Sequence, residues 1–227
     1  MQQETWQQIG EGVWLKRFPL KVMGADFNRT VTAFTIREGE VLVHSTGPFS
    51  KEDYSFLQSI GKRIHFVDAT CFHDSFTKRI LQAMTGADFY APKGFPLKDD
   101  RLKPIEDLEP VLGDSIKMIP INGMPKVNEV AFYDGLNGIL AIADLLFNFG
   151  PDASGWTRGF MRVLGGIKKY PGMSRMYRAL IRDKQAFQES IDQLRSLEFK
   201  HLIVGHGEPI FGNGREILDK TLAKYGF

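Results

Sequence analysis

Apolar positions recur with two periods along this chain, and the switches between them mark out alternating strands and helices. Val31 to Ile36 and Glu40 to His44 are runs rich in β-branched residues separated by Arg37-Glu38-Gly39. Glycine there meets the positive φ of a short turn, so the pair reads as a hairpin and as the first sheet. Ser50 precedes Asp53 by three residues in the manner of a capping box, and Phe56, Leu57 and Ile60 follow at helical spacing. That helix ends at Gly61. Ile64 to Val67 predicts a strand, Phe76, Ile80, Leu81 and Met84 a second helix, and Ala87 to Ala91 another strand.

Pro92 to Pro120 holds five prolines among scattered charges and predicts loop broken by short extended pieces. Glu129 to Tyr133 and Ile139 to Ala143 predict a second hairpin, with Gly135 and Gly138 in its turn. From Trp156 to Leu197 the spacing is helical, interrupted at Tyr170-Pro171-Gly172, with Phe187, Ile191, Leu194 and Leu197 forming an apolar stripe. His201 to Val204 predicts a last strand, Gly205-His206-Gly207 a tight turn, and Gly214 to Tyr225 a closing helix. Strands alternating with helices imply α/β layering, with helices flanking the strands.

Bulk composition narrows the function classes. The chain has 227 residues, 43% of them hydrophobic and 25% charged, as expected of one globular domain over 1–227. Its longest apolar stretch, Gly138 to Phe149, is interrupted by Asp144 and is shorter than the roughly 20 residues of a membrane helix. The Gln-rich start, Met1 to Gly10, lacks the basic flank and apolar run of a secretory signal, so a cytoplasmic location is expected. The single cysteine, Cys71, forms no internal disulfide, in keeping with a reducing compartment. A net charge of +2 is too mild to imply a nucleic-acid partner. The charge is nonetheless uneven: within a basic helical insert at about 154–198, Trp156 to Lys184 carries eight basic residues against one acid, Asp183. Arg175, Arg178 and Arg182 fall on one face of a helix drawn through that run, opposite Met176, Tyr177, Leu180 and Ile181. The face reads as a solvated basic surface over an apolar underside, with an anionic substrate, nucleic acid or lipid headgroups as the other possible partners.

Three polar positions each follow an apolar strand: the pair His73-Asp74, Asp144, and His206. Loops at strand ends in α/β folds converge on ligands while the strands hold them rigid. Imidazole and carboxylate suit zinc, iron or manganese, and three such ligands leave a coordination position open for hydrolysis. Taken singly each has a simpler reading: Asp144 or Asp74 as a cap, His206 as a brace for its glycine turn. Cys71 lies two residues before His73, yet adjacency on one loop seldom gives nucleophile-base geometry, and it reads as a small buried hydrophobe. His44, His65 and His201 read as structural. No phosphate-binding glycine motif is present.

The order of these parts, with Ala143-Asp144-Leu145-Leu146 ending one hairpin and Val204-Gly205-His206-Gly207 following the last strand, resembles the metallo-β-lactamase superfamily from Thr30 onward. Within it the chain looks most like the DUF4336-type branch, whose histidine-rich loop is shortened. The resemblance implies an αββα sandwich: two mixed sheets with helices on their outer faces. It implies that Asp144 matches the bridging aspartate, His206 the final histidine, and Asp74 the aspartate of the His-x-His-x-Asp-His signature. In that register Thr70, Phe72 and Ser75 stand where histidines belong, and Pro125, or Asn128 or Glu129 in a shifted register, stands where another does. The expectation is a reduced, at most mononuclear site built from His73, Asp74, Asp144 and His206. Asp74 would accept a proton, and Glu129 is a possible further polar site residue. One divalent metal, zinc first with iron or manganese compatible, would serve hydrolysis of a small ester, thioester, phosphoester or lactam-like substrate. The alternative is a metal-free, non-catalytic protein of the same fold that binds a small molecule, a protein or an anionic partner.

Overall fold

The computed structural model describes residues 4–114 and 116–227; Met1 to Gln3, part of the Gln-rich start, and Ser115 lie outside the described residues. In chain order the first half forms β1 (Gln7–Gly10), β2 (Val13–Phe18), β3 (Lys21–Val22), β4 (Ala25–Asp26), β5 (Arg29–Arg37), β6 (Glu40–His44), α1 (Lys51–Ile60), β7 (Arg63–Val67), α2 (Thr77–Ala83), β8 (Asp88–Ala91) and β9 (Leu102–Pro104). A 3-10 turn (Ile105–Leu108) leads to α3 (Glu109–Leu112), β10 (Lys117–Pro120), β11 (Val130–Asp134), β12 (Ile139–Ala141), β13 (Phe147–Asn148), α4 (Gly155–Val163), α5 (Arg175–Ala179), α6 (Lys184–Arg195), β14 (His201–Ile203), β15 (His206–Gly207) and α7 (Gly214–Ala223).

One sheet runs β1-β2-β5-β6-β7-β8-β9, antiparallel as far as β6 and parallel beyond it. A second runs β10-β11-β12-β14, with β12 and β14 parallel. The period of two in each strand decides which layer a residue joins. Val31, Ala33, Val41, Val43, Ile64 and Phe66 meet Leu57 of α1 and Ile80 and Leu81 of α2 on the outer face of the first sheet. Their alternates Phe34, Ile36 and Leu42 meet Val130, Phe132, Ile139, Ala141 and Ile203 of the second sheet. Behind that sheet, Ala131, Leu140 and Leu202 pack on Tyr177 of α5, on Phe187, Ile191 and Leu194 of α6, and on Leu218 and Leu222 of α7. Central strands buried on both faces read as continuous apolar runs, which is why they stood out in the sequence. The expected αββα layering is what the chain forms.

Both hairpins form, and Gly39 and Gly138 have positive φ, 76° and 61°. The Ser50 hydroxyl accepts Asp53 N–H while the Asp53 carboxylate accepts Ser50 N–H, a reciprocal cap that starts α1. Three differences from the sequence reading stand out. The first sheet begins two strands earlier than Val31, because β1 and β2 carry Gln7, Gln8, Lys16 and Arg17 and show no clean apolar run. Gly205-His206-Gly207, expected as a tight turn, contains β15, which pairs in parallel with β13. Arg182 is not on a helix with Arg175 and Arg178: α5 stops at Ala179, and Asp183 caps α6 through the N–H groups of Gln185 and Ala186.

Candidate metal centre

The loops after β6, β7, β12 and β14 meet at one edge of the sandwich. After β7, Cys71 N–H donates to Val127 O and Val130 N–H to Ala69 O, both at 2.8 Å, stitching the His73 loop to the opposite sheet. After β12, Ile142 N–H donates to Ile203 O, and Gly205 N–H to Ala143 O. After β14, Thr30 N–H donates to Gly205 O at 2.9 Å, drawing the start of β5 to the same edge.

This backbone frame brings His73, Asp144 and His206 together, with one ligand atom of each within 4.8 Å of the others, and all three residues buried. His73 Nε2 and His206 Nε2 each lie 3.4 Å from Asp144 Oδ1. Two donors bound tetrahedrally to one ion at about 2.0–2.1 Å sit about 3.3–3.4 Å apart, so this spacing matches two edges of such a site. His73 Nε2 and Asp144 Oδ2 are buried without a hydrogen-bond partner, which a native interior rarely tolerates unless something else satisfies them. The donor set fits a divalent transition metal.

The remaining ring nitrogens are taken. His206 Nδ1 lies 2.6 Å from Asn28 O and His73 Nδ1 3.2 Å from Ser45 Oγ. With the proton on Nδ1 in each case, both Nε2 lone pairs face Asp144. His206 is further fixed by parallel stacking on Phe147, with ring centroids 5.3 Å apart, and by the edge of Phe27. Burial, then the charge of Arg29, brings His73 down to about 3, so the imidazole is neutral at physiological pH.

Glu129 stands directly behind Asp144. Its carboxylate accepts the N–H groups of Ala143 at 2.8 Å, Asp144 at 3.2 Å and Leu145 at 3.3 Å. Burial, then the Asp144 charge, pushes it up to about 7 despite those donors. It shapes the loop that presents Asp144 and is not part of the converging trio. Asp74 is exposed and is not brought into that trio either. Cys71 is buried, its Sγ 3.5 Å from Lys93 O, and burial raises its thiol. His44 packs on Phe132, and His65 sits between Glu40 and Asp88.

Sequence reasoning missed four residues around the trio. Arg29, 2% exposed, donates to Ser45 Oγ at 3.1 Å, and a buried arginine has no sequence signature. Asn28 acts through its carbonyl, which any residue supplies. Ser45 and Asp68 directly follow the strands β6 and β7, the same signal that identified Asp144. Asp68 accepts the hydroxyls of Thr46 and Thr77 and is pushed by burial up to about 6.

No sequence-family model matches the chain, and no curated protein matches it. Solved structures do. The chain is similar to the DIM-1 metallo-β-lactamase over 98% of both chains, with a TM-score of 0.61 at 15% identity. A metallo-β-lactamase from Pontibacter korlensis covers 96% of this chain and 97% of its own, with a TM-score of 0.61 at 12% identity. One from Erythrobacter litoralis in a mono-zinc form covers 98% and 96%, with a TM-score of 0.59 at 12% identity. At such identities the likeness concerns the fold, and by layers, strand order and these matches the chain has the metallo-β-lactamase fold.

Proposed function

We propose that the protein is a metal-dependent hydrolase working with one divalent metal, zinc foremost, at His73, Asp144 and His206. The observation that supports this most is the pair of 3.4 Å distances from Asp144 Oδ1 to two imidazole Nε2 atoms, beside a buried nitrogen and carboxylate oxygen lacking partners. A metal held there supplies Lewis acidity for hydrolysis of a small ester, thioester, phosphoester or lactam-like bond. The chain's own residues do the rest. Asn28 O and Ser45 Oγ fix the ring orientations, Glu129 fixes the loop of Asp144, and the neutral His73 is in the protonation state a ligand needs. Asp74 is assigned to proton transfer and not to coordination, because its carboxylate is exposed and adjacent to His73 yet outside the converging set.

Elemental analysis of protein purified without added metal tests the reading. About one equivalent of metal is expected per chain, lost in Asp144→Ala and retained in Asp74→Ala. A trace that Asp144→Ala leaves unchanged would remove the metal and favour a non-catalytic binding protein. Loss of metal in Asp74→Ala would restore Asp74 to the ligand set.

A further inference from the structure

α4 and the β3–β4 hairpin carry a surface that the candidate centre does not use. Only Thr157 and Met161 of α4 are fully buried. Trp156 is 61% exposed, Val163 68%, Leu164 58% and Met23, at the hairpin tip, 74%. Trp156 and Val163 are seven residues apart, on one helical stripe with Phe160 between them and about 10 Å along the axis. The hairpin continues this stripe, since Trp156 Nε1 donates to Met23 O at 3.2 Å. Scattered exposed apolar residues are ordinary; a contiguous run is not.

The charges beside it are mainly basic, with Asp26 of β4, 3.7 Å from Lys21, and the exposed Asp152 before α4 as acids near it. Arg158 and Arg162, a helical turn apart, are exposed, as are Lys168 and Lys169 just beyond α4. The Arg175 backbone N–H donates to Gly165 O at 2.7 Å, which ties the start of α5 to the segment just after α4. Between Asp152 and Asp183 the sequence contains no acidic residue to balance them.

We propose that this face docks on an anionic lipid surface, with Met23, Trp156, Val163 and Leu164 entering the headgroup layer and the flanking arginines and lysines meeting lipid phosphates. A short amphipathic helix with tryptophan at the apolar border and cations on the rest of its exposed arc is the composition that lies in such an interface. A second copy of the chain is a poorer occupant, because a two-fold contact would set Arg158 and Arg162 against like charges. Nucleic acid is poorer too, because Met23, Val163 and Leu164 offer no ring for a base to stack on. Among the described residues no helix is long and apolar enough to cross a membrane, so the association is peripheral. The face borders the candidate centre: Phe160 meets Phe27 at 6.0 Å and Phe27 meets His206 at 5.7 Å.

The test is sedimentation of the full chain with vesicles of phosphatidylcholine alone or mixed with phosphatidylglycerol. It reads docking without reference to metal, so it stands or falls apart from the hydrolase reading. Binding to the mixed vesicles alone is expected, weakening with salt, with a blue shift of emission that Trp156→Phe removes. Val163→Asp, and separately Arg158→Glu with Arg162→Glu, should each weaken binding by about tenfold or more. These positions are exposed, so each variant should keep the parent's circular dichroism and melting temperature. Failure of the parent to bind either vesicle, or undiminished binding by folded variants, overturns the proposal. So does a parent dimer that Val163→Asp converts to monomer without any vesicle binding.

Discussion

The Tyr177 hydroxyl donates at 2.9 Å to Oε2 of Glu129, 48 residues earlier in the chain, and through that carboxylate α5 braces the loop carrying Asp144. Ala143, Asp144 and Leu145 all send their N–H groups to Glu129. Glu129→Ala therefore leaves three buried donors and a phenol unsatisfied, and should cost about 3 kcal/mol or more in urea unfolding of the metal-free protein. Tyr177→Phe removes one hydrogen bond and should cost about 1.5–3 kcal/mol. A Glu129→Ala chain unfolding at the parent's urea midpoint would rule the brace out.

Metal affinity should depend on residues that never touch the ion. Ser45→Ala deprives His73 Nδ1 of its 3.2 Å partner and frees the ring to turn. Losses of about 10- to 100-fold accompany removal of such an outer partner. Competition with a chromophoric chelator measures it, and unchanged affinity would mean that packing alone orients His73.

The acid limb of stability should carry the signature of His44. Burial, then the Arg29 charge, lowers its imidazole from 6.5 to about 4. A depressed folded value means that the unfolded chain takes up the proton first as pH falls. The contribution is thus full above pH 6.5 and is lost progressively down to about pH 4, by about 3 kcal/mol in all. Asp68 works the other way: raised from 3.8 to about 6, it favours the fold at low pH, and that contribution is lost as pH rises toward 6. His44→Leu should gain stability relative to the parent as pH falls from 6.5 toward 4, as urea titrations at several pH values would show. A stability difference independent of pH would mean that His44 protonates freely in the fold.

Which of these features the sequence disclosed follows from how local their causes are. The β5–β6 hairpin was legible because β-branched runs and Gly39 act within a few residues. β2 was not, because buried Lys16 depends on Asp53, 2.5 Å away in space and 37 residues away in sequence. β15 is two residues long, too short to show any period. His73, Asp144 and His206 were each flagged by following an apolar strand. Whether His73 or Asp74 turns inward depends on loop torsions that composition does not encode. Arg29 and Asn28 escaped notice because what they do at the site follows from their burial and from a backbone carbonyl.

Gly205 makes the most exacting prediction, because three chains of contact pass through it. A Cβ there would lie 2.5 Å from Ala143 O and 3.1 Å from His73 Cε1. The first neighbour is backbone and cannot rotate away, and Gly205 is held on both sides by hydrogen bonds to Ala143 O and from Thr30 N–H. Gly205→Ala must therefore part the loops after β12 and β14, moving Asp144 and His206 away from each other. A loss of about 1–3 kcal/mol is expected, together with a fall in metal affinity. Gly159→Ala provides the contrast: it sits within α4, with nothing within 4 Å of its added Cβ, and should stabilise by about 0.5–1 kcal/mol at unchanged affinity. Equal behaviour of the two variants would show that the edge where the trio meets is loose enough to absorb a methyl group, and that the 3.4 Å spacings at Asp144 are not held by the backbone.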